Sequence, residues 1–264
     1  MRKNSIQSIQ NKYEGRQLRD YLIYTFGIAW AAELFLIAVY KLKLVGEFPM
    51  SVLHYVLIAF GPGFAPAYSA IIVKRKYFGW TVKDTLKEFC SFGKKKRTFF
   101  MLGAFAVIQL AACCVLESYR GNPWYLFVLF MPLMILGGGM EEWGWQGVMM
   151  PLMEKKFPFG AAIIMQGVLW AFWHLPLWFV PDSSQQTMNF GAFMLYCIVL
   201  ECSLALLYRY TESVAACVLL HAWGNTTMGG MYTMTALTNT PDIKIFLVYL
   251  GQVLLFVCCY KKMK

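Results

Sequence analysis

The chain has 264 residues and a formal net charge of +10; 59% of its residues are hydrophobic and only 14% are charged. With a mean hydropathy of +0.51, this composition excludes a water-soluble globular protein and predicts a polytopic membrane protein. The sequence contains no internal repeat, no low-complexity tract and no GxGxxG or Walker loop, so neither a repeat protein nor a nucleotide-binding domain is indicated.

Apolar stretches long enough to cross about 30 Å of hydrocarbon predict eight transmembrane helices. In chain order they lie at about 20–40, 50–73, 98–117, 124–153, 158–180, 190–209, 213–232 and 243–260. The fourth contains Pro132 and three consecutive glycines, so we expect it to be broken or tilted. The predicted fold class is an all-α membrane helix bundle. It forms a single integral membrane domain over 1–264, with a basic cytoplasmic N-terminus over 1–19 and a catalytic core over about 124–232.

Basic residues divide unequally between the two sides of the predicted bundle. With the N-terminus inside, 20 of the 24 Lys and Arg residues fall in the N-terminus, the inner loops and the C-terminus. Only Lys41, Lys43, Arg120 and Lys244 fall outside. Because short cytoplasmic loops collect Lys and Arg, both termini are predicted to be cytoplasmic. The basic run at 94–97 then indicates a loop near anionic headgroups and not a nucleic-acid site. The first 19 residues lack an apolar core, so we expect no cleavable signal peptide.

Three polar clusters interrupt the apolar C-terminal half: Glu141 with Glu142, then His174, then His221 with Asn225. An acidic side chain near the middle of a bilayer costs about 2.5 to 3.5 kcal/mol on insertion scales, so adjacent glutamates indicate a reaction centre. At about 1.5 Å per residue, the three clusters fall in one layer near the bilayer midplane. His221 and Asn225 are four residues apart and share one helical face.

A carboxylate, two imidazoles and an amide in a lipid-shielded cavity can hydrolyse a peptide bond. A glutamate can take a proton from water and return it to the leaving amine. A histidine can orient that water or bind a metal, and an imidazole with a carboxamide can donate hydrogen bonds to the oxyanion. This chemistry needs no nucleophilic serine or cysteine. The eight cysteines show no CxxC pattern, and we interpret them as small apolar residues and not as disulfides or a redox site.

The three clusters resemble, in order, the motifs of one protein family, the CPBP intramembrane proteases, also called the Abi or CAAX-protease-like family. The resemblance covers about 90 residues, from Gly139 to Gly229. The matching segments are Glu141-Glu142-x-x-x-Gln146, Trp170-x-x-x-His174 and His221-x-x-x-Asn225. The family implies an eight-helix membrane endopeptidase. This chain departs from the family motifs at two positions: Gln146 replaces the motif arginine, and Trp170 replaces a phenylalanine. The first change removes the expected cationic partner of Glu142.

The resemblance also implies a role for each residue. Glu141 would activate water, His174 would hold that water or a metal, His221 with Asn225 would form the oxyanion site, and Glu142 would support the site. A Zn²⁺ ion bound by Glu141, His174 and His221 is one alternative, and a glutamate mechanism without metal is the other. The sequence lacks His-Glu-x-x-His, so both stay open.

Two other functions remain open. The first is a catalytically silent relative that binds a membrane peptide, for instance in bacteriocin self-immunity, and Gln146 favours it. The second is a solute or proton carrier, against which the absence of an inverted repeat counts. For the protease, the expected partners are a membrane-associated peptide or protein substrate and membrane lipids, with no nucleic acid. The short loops and compact length are typical of a bacterial cell-membrane protein.

Other polar and aromatic residues give weaker predictions. His54, without a partner motif, is interpreted as a structural histidine. Glu33 and Glu201 are single acids near or within spans, and Glu201 is interpreted either as a structural hydrogen-bonded group or as a cavity-facing one. We expect the bundle to open toward the cytoplasm. Several of six tryptophans lie too deep for an interfacial belt, and the six are predicted to wall the cavity: Trp143, Trp145, Trp170, Trp173, Trp178 and Trp223.

Overall fold

The protein is described here by a computed structural model that covers residues 2–44, 46–93, 95–238 and 243–263. Within these ranges the regular structure is helical, and the fold class predicted from composition is confirmed. The α-helices are α1 (Arg2–Leu42), α2 (Glu47–Phe60), α3 (Ala65–Phe78), α4 (Val82–Phe89), α5 (Lys95–Leu116), α6 (Tyr125–Gly137), α7 (Glu142–Gly144), α8 (Met150–Glu154), α9 (Phe159–Trp173), α10 (Phe190–Thr211), α11 (Val214–Asn225), α12 (Thr235–Thr238) and α13 (Ile243–Met263).

Six helical segments of the described chain are long and apolar enough to cross a membrane: 15–42, 95–116, 125–154, 159–179, 190–211 and 243–261. Each coincides with a predicted span. The predicted span 50–73 consists of α2 and α3, separated by a turn at 61–64. The predicted span 213–232 consists of α11 and a π-helical turn, Thr226–Met231. The count of eight and the orientation stay predictions, and two of the counted lysines, Lys94 and Lys264, lie outside the described residues.

The predicted break in the fourth span is confirmed. Helix α6 ends at Gly137, a 3₁₀ turn covers Gly139–Glu141, and a π-helical turn, Trp145–Met149, separates α7 from α8. Three consecutive glycines weaken the helix at this point, and irregular backbone at membrane depth is tolerated where it is buried in protein or lines a cavity. The break therefore brings both glutamates into the interior of the bundle.

Polar caps determine where several helices begin. Thr81, Asn189 and Ser213 precede α4, α10 and α11, and the side-chain oxygen of each accepts a hydrogen bond from a backbone N–H three residues later, at 3.0 to 3.2 Å. Such caps satisfy N–H groups that have no partner within the helix. Two of these capped helices, α10 and α11, contribute side chains to the cavity described below.

Contacts between connections define two ends of the bundle. At the basic end, which comprises 74–93, 95–97, 154–158 and 209–213, Arg209 pairs with Glu154 at 2.6 Å and Ser213 Oγ donates to the carbonyl of Ser91 at 2.9 Å. At the opposite end, which comprises 117–124, 180–189 and 232–238, the N–H of Thr233 donates to the carbonyl of Ser118 at 2.9 Å. The main hydrophobic core lies between the two ends and includes side chains of α1, α3, α9, α10 and α11.

Candidate active site

Glu141 lies at the break in the fourth span and is only 4% exposed. Its Oε2 accepts hydrogen bonds from the indole N–H of Trp170 at 2.9 Å and from that of Trp145 at 3.4 Å. Trp170 comes from α9 and Trp145 from the π-helical turn, so two elements hold the carboxylate in position. Both hydrogen bonds go to Oε2, which leaves Oε1 for a water molecule.

His174 follows the last residue of α9, and its Nδ1 lies 2.9 Å from the carbonyl oxygen of Trp170. A carbonyl only accepts, so Nδ1 carries the proton and Nε2 of the neutral ring has a free lone pair. The imidazole contacts the edges of Trp173 and Phe193, with centroid distances of 4.5 and 5.1 Å. These contacts fix the ring, and its Nε2 can accept a hydrogen bond from water or bind a cation.

His221 and Glu142 form a buried pair in which Nδ1 lies 2.7 Å from Oε1. The other carboxyl oxygen of Glu142 is buried without a hydrogen-bond partner. No Lys or Arg is among the buried side chains of the described chain, so a net negative charge here would be costly. The pair is neutral overall when the Glu142 carboxyl group and the two ring nitrogens of His221 together hold two protons. One of these protons is shared between Oε1 and Nδ1, and the other is on Nε2, which can therefore donate to an oxyanion.

Asn225 and His221 both contact the backbone at Gly138. A Cβ built on Gly138 would overlap Nδ2 of Asn225 and lie 3.3 Å from Nε2 of His221. A Cβ on Gly139 would lie 2.7 Å from the carbonyl oxygen of Val218, so the broken segment and α11 are in close backbone contact there. Glycine at these two positions lets the side chains of His221 and Asn225 approach the segment that carries the glutamates.

Gly138→Ala and Gly137→Ala form a matched pair that tests this contact. A Cβ at Gly137 would have no neighbour within 4 Å, whereas the Cβ at Gly138 must displace the Asn225 amide. Displacement of a catalytic group by about 1 Å can cost up to about 10²-fold in rate. We expect Gly138→Ala to lower kcat toward that limit and Gly137→Ala to retain it, measured by peptide cleavage at matched folded fractions. Equal activity of the two variants would show that the amide position does not matter.

Four of the five predicted site residues line one cavity of about 330 Å³: Glu141, His174, His221 and Asn225. The fifth, Glu142, lies behind His221 and is not part of the lining. The predicted convergence of the three clusters is therefore found. The prediction for the tryptophans is wrong for four of six, since only Trp170 and Trp173 line the cavity. The other four pack against aromatic rings of neighbouring elements: Trp143 against Phe89, Trp145 against Tyr21, Trp178 against Phe190 and Trp223 against Phe127.

Gln146, which replaces the motif arginine, lies beside Glu142, but its hydrogen bond of 2.7 Å goes to another carboxyl group. Its Nε2 donates instead to Oε1 of Glu201 at 2.7 Å, and Nε2 of Gln166 donates to the same oxygen at 2.9 Å. All three side chains are buried, and the carbonyl oxygens of both glutamines lack partners. Glu201 is thus a hydrogen-bonded structural acid. Sequence reasoning missed Gln166, although it lies four residues before Trp170 on the same helical face.

Gln146→Arg tests whether Glu201 can serve as the counter-ion of the motif arginine. In the wild-type background the guanidinium would meet the Glu201 carboxylate, whereas in a Glu201→Gln background it would be a buried charge without a partner. Loss of one partner of a buried ion pair costs about 3 to 5 kcal/mol. We expect Gln146→Arg to destabilise the Glu201→Gln protein by about that much more than the wild type, measured by unfolding in detergent. An equal or greater destabilisation of the wild type would contradict this pairing.

The remaining polar predictions concern single residues and the metal. His54 Nδ1 lies 3.0 Å from the Tyr40 hydroxyl, so this histidine connects α2 to α1 as expected of a structural residue. Glu33 is buried on α1 and does not line the cavity.

No group of three His, Cys, Asp or Glu side chains suited to a metal ion occurs among the residues that the structure describes. The Zn²⁺ alternative stays a prediction, and the residues that would hold the ion are those named from the sequence: Glu141, His174 and His221.

Comparison with known proteins agrees with the motifs. A family model described as type II CAAX prenyl endopeptidase Rce1-like matches residues 123–227, a range that contains all five predicted site residues. A protein named CAAX prenyl protease 2, from Methanococcus maripaludis, is 36% identical over 59 residues. That match spans 22% of this chain and 22% of the relative. The resemblance drawn from the three motifs is confirmed: over residues 123–227 the chain is similar to the Rce1-like type II CAAX prenyl endopeptidases.

Proposed function

We propose that the protein is an intramembrane endopeptidase that hydrolyses a peptide bond of a membrane-associated peptide or protein. One observation carries this proposal: Glu141, His174, His221 and Asn225, which come from three separate segments of the chain, line the same cavity. The carboxylate, the imidazoles and the amide supply a base, a water ligand and oxyanion donors in a site shielded from lipid. The family match supports the same reaction class.

In the proposed reaction, water lies between Oε1 of Glu141 and Nε2 of His174. Glu141 takes one proton from the water as its oxygen attacks the carbonyl carbon of the substrate, and His174 accepts a hydrogen bond from the other O–H. The negative charge that develops on the carbonyl oxygen is stabilised by the Nε2–H of His221 and the Nδ2–H of Asn225. When the C–N bond breaks, Glu141 returns its proton to the leaving amine.

Glu142 is a positioning residue in this scheme. Its hydrogen bond to Nδ1 at 2.7 Å orients the ring of His221 and keeps the proton count of the pair at the value that makes Nε2 a donor. Because Glu142 does not reach the cavity, it does not touch substrate. The motif pair Glu141-Glu142 therefore divides into a base and a support.

We further propose that the protein resides in the cell membrane of a bacterium with both termini in the cytoplasm. The charge asymmetry of 20 to 4 supports the orientation. A silent, peptide-binding relative is the second candidate function. The observation in its favour is that the site lacks the motif arginine and places an uncharged amide, Gln146, beside Glu201.

Purified protein in detergent, incubated with a library of membrane peptides and analysed by mass spectrometry, tests the proposal. Cleavage products are expected from the wild type, and a chelator arm measures any contribution of Zn²⁺. Products that persist with chelator support the glutamate mechanism, and products that disappear on chelation and return with Zn²⁺ support the metal alternative. Binding of peptides by folded protein without any product would instead establish the silent relative.

A further inference from the structure

The cavity occupies only one half of the bundle. Its lining on the fourth span lies before the glutamates, at Met134 and Gly137, and its lining on α9 and beyond begins at Trp170 and continues to Leu177. On α10 the lining comes from the first eight residues of the helix, and beyond α11 it comes from the π-helical turn. From the layer of the reactive side chains, the cavity thus extends toward the opposite end and not toward the basic end.

Connections of the opposite end form the mouth of the cavity. Ser184 and Gln185 belong to a short 3₁₀ helix, Ser184–Thr187, and Met234 and Leu237 belong to the connection that follows α11. A hydrogen bond of 2.7 Å from the N–H of Asn189 to the carbonyl of Leu237 joins the two connections. Between Glu141 and the basic end, by contrast, buried side chains fill the interior of the bundle. They are Trp145, Met149, Met150 and Met153, each at most 1% exposed.

Charge identifies which end faces the cytoplasm. The basic end carries lysines and arginines in every connection, including Arg75, Lys76, Lys155, Lys156 and Arg209. The connection 180–189 and the stretch 232–238 at the mouth contain no Lys or Arg. Because positive residues are retained on the cytoplasmic side, the basic end is cytoplasmic and the mouth faces away from the cytoplasm.

We infer that substrates enter the site from the extracytoplasmic face, so that the protein acts on an exported or extracytoplasmic peptide segment. This inference rests on the proposed function for its substrate and on the charge pattern for its direction. The sequence had led us to expect a cavity that opens toward the cytoplasm. That expectation is incompatible with a cytoplasmic N-terminus, because the mouth of the cavity lies at the opposite end of the bundle.

The residues that line the cavity also limit which substrate peptides can bind there. Four methionines, Met134, Met188, Met228 and Met234, contribute flexible apolar surface, and no Lys or Arg is among the lining residues of the described chain. Methionine-rich surfaces adapt to varied apolar side chains. A site without a cation has no partner for a terminal carboxylate, so the preferred substrate is an apolar stretch cleaved away from its C-terminus.

Single-cysteine labelling tests the direction without any need for catalysis. All eight native cysteines are free thiols, and Cys90 is exposed at the basic end. One variant keeps Cys90 alone, and a second replaces all eight and carries Ser184→Cys at the mouth, where the serine is exposed. Each is treated with a membrane-impermeant maleimide in right-side-out and in inverted vesicles. Thr187→Cys, at an exposed neighbour, serves if Ser184→Cys does not fold.

Labelling at position 184 in right-side-out vesicles only, and of Cys90 in inverted vesicles only, is the expected result. The reversed pattern, labelling of both positions from one side, or a mouth cysteine that reacts only after denaturation would overturn the inference. The peptide-library assay is carried out in detergent, where both faces are accessible, and Glu141→Gln should leave the labelling pattern unchanged. A protein that labels as expected but cleaves nothing would therefore retain its orientation and lose the proposed function, and the two failures are distinguishable.

Discussion

Glu141→Gln is expected to lower the rate of peptide cleavage by about 10²- to 10⁴-fold, the range typical for removal of a general base. The glutamine keeps the size of the side chain, and its carbonyl oxygen can still accept the indole hydrogen bonds of Trp145 and Trp170. It cannot take a proton from water. The loss should therefore appear in kcat, measured under single-turnover conditions, while the unfolding midpoint in detergent stays near that of the wild type.

Glu33→Gln is the matched control for this experiment. Glu33 is also a buried glutamate, at 1% exposure, but it does not line the cavity. The same chemical change there should leave cleavage close to the wild-type rate. Equal losses in the two variants would indicate a general effect of buried carboxyl groups on folding, and full activity of Glu141→Gln would remove Glu141 from the role of base.

Asn225→Ala is expected to reduce kcat by about 10²- to 10³-fold, as removal of one oxyanion donor does in other hydrolases. The amide Nδ2 lies against Gly138, where a Cβ would overlap it, so it is held next to Nε2 of His221. A donor that acts on the developing oxyanion stabilises the transition state and not the bound substrate, so KM should change little.

Asn122→Ala provides the comparison for the loss of an asparagine amide. Nδ2 of Asn122 donates to the carbonyl of Gly230 at 2.8 Å, at the opposite end of the bundle and outside the cavity lining. We expect this variant to cleave at nearly the wild-type rate. An Asn225→Ala protein with unchanged kcat and raised KM would show that the amide binds substrate and does not stabilise the oxyanion.

Much of the fold and the convergence of the site followed from the sequence for identifiable reasons. Composition and the length of apolar runs are sufficient to predict a helical membrane bundle. The glycines at 137–139 predicted the break, because consecutive glycines weaken a helix. The i, i+4 spacing of His221 and Asn225 predicted a shared face, and both line the cavity.

Other features depend on contacts between distant segments, which periodicity does not specify. Glu142 is adjacent to Glu141 in sequence, yet it pairs with His221, 79 residues away, and lies behind the cavity. Gln146 donates to Glu201, 55 residues away. The direction of the cavity depends on which halves of four helices remain unfilled, and no local pattern in the chain encodes that.

A hydrolytic site in this cavity is best tested by the cleavage rate of one library peptide with five purified variants, each with a verified fold. We expect Glu141→Gln, His174→Ala and Asn225→Ala, all at cavity-lining residues, to lose cleavage, and Glu33→Gln and Asn122→Ala to retain it. Retained cleavage in the three cavity variants, or absence of cleavage by the folded wild type, would contradict a hydrolytic site in this cavity.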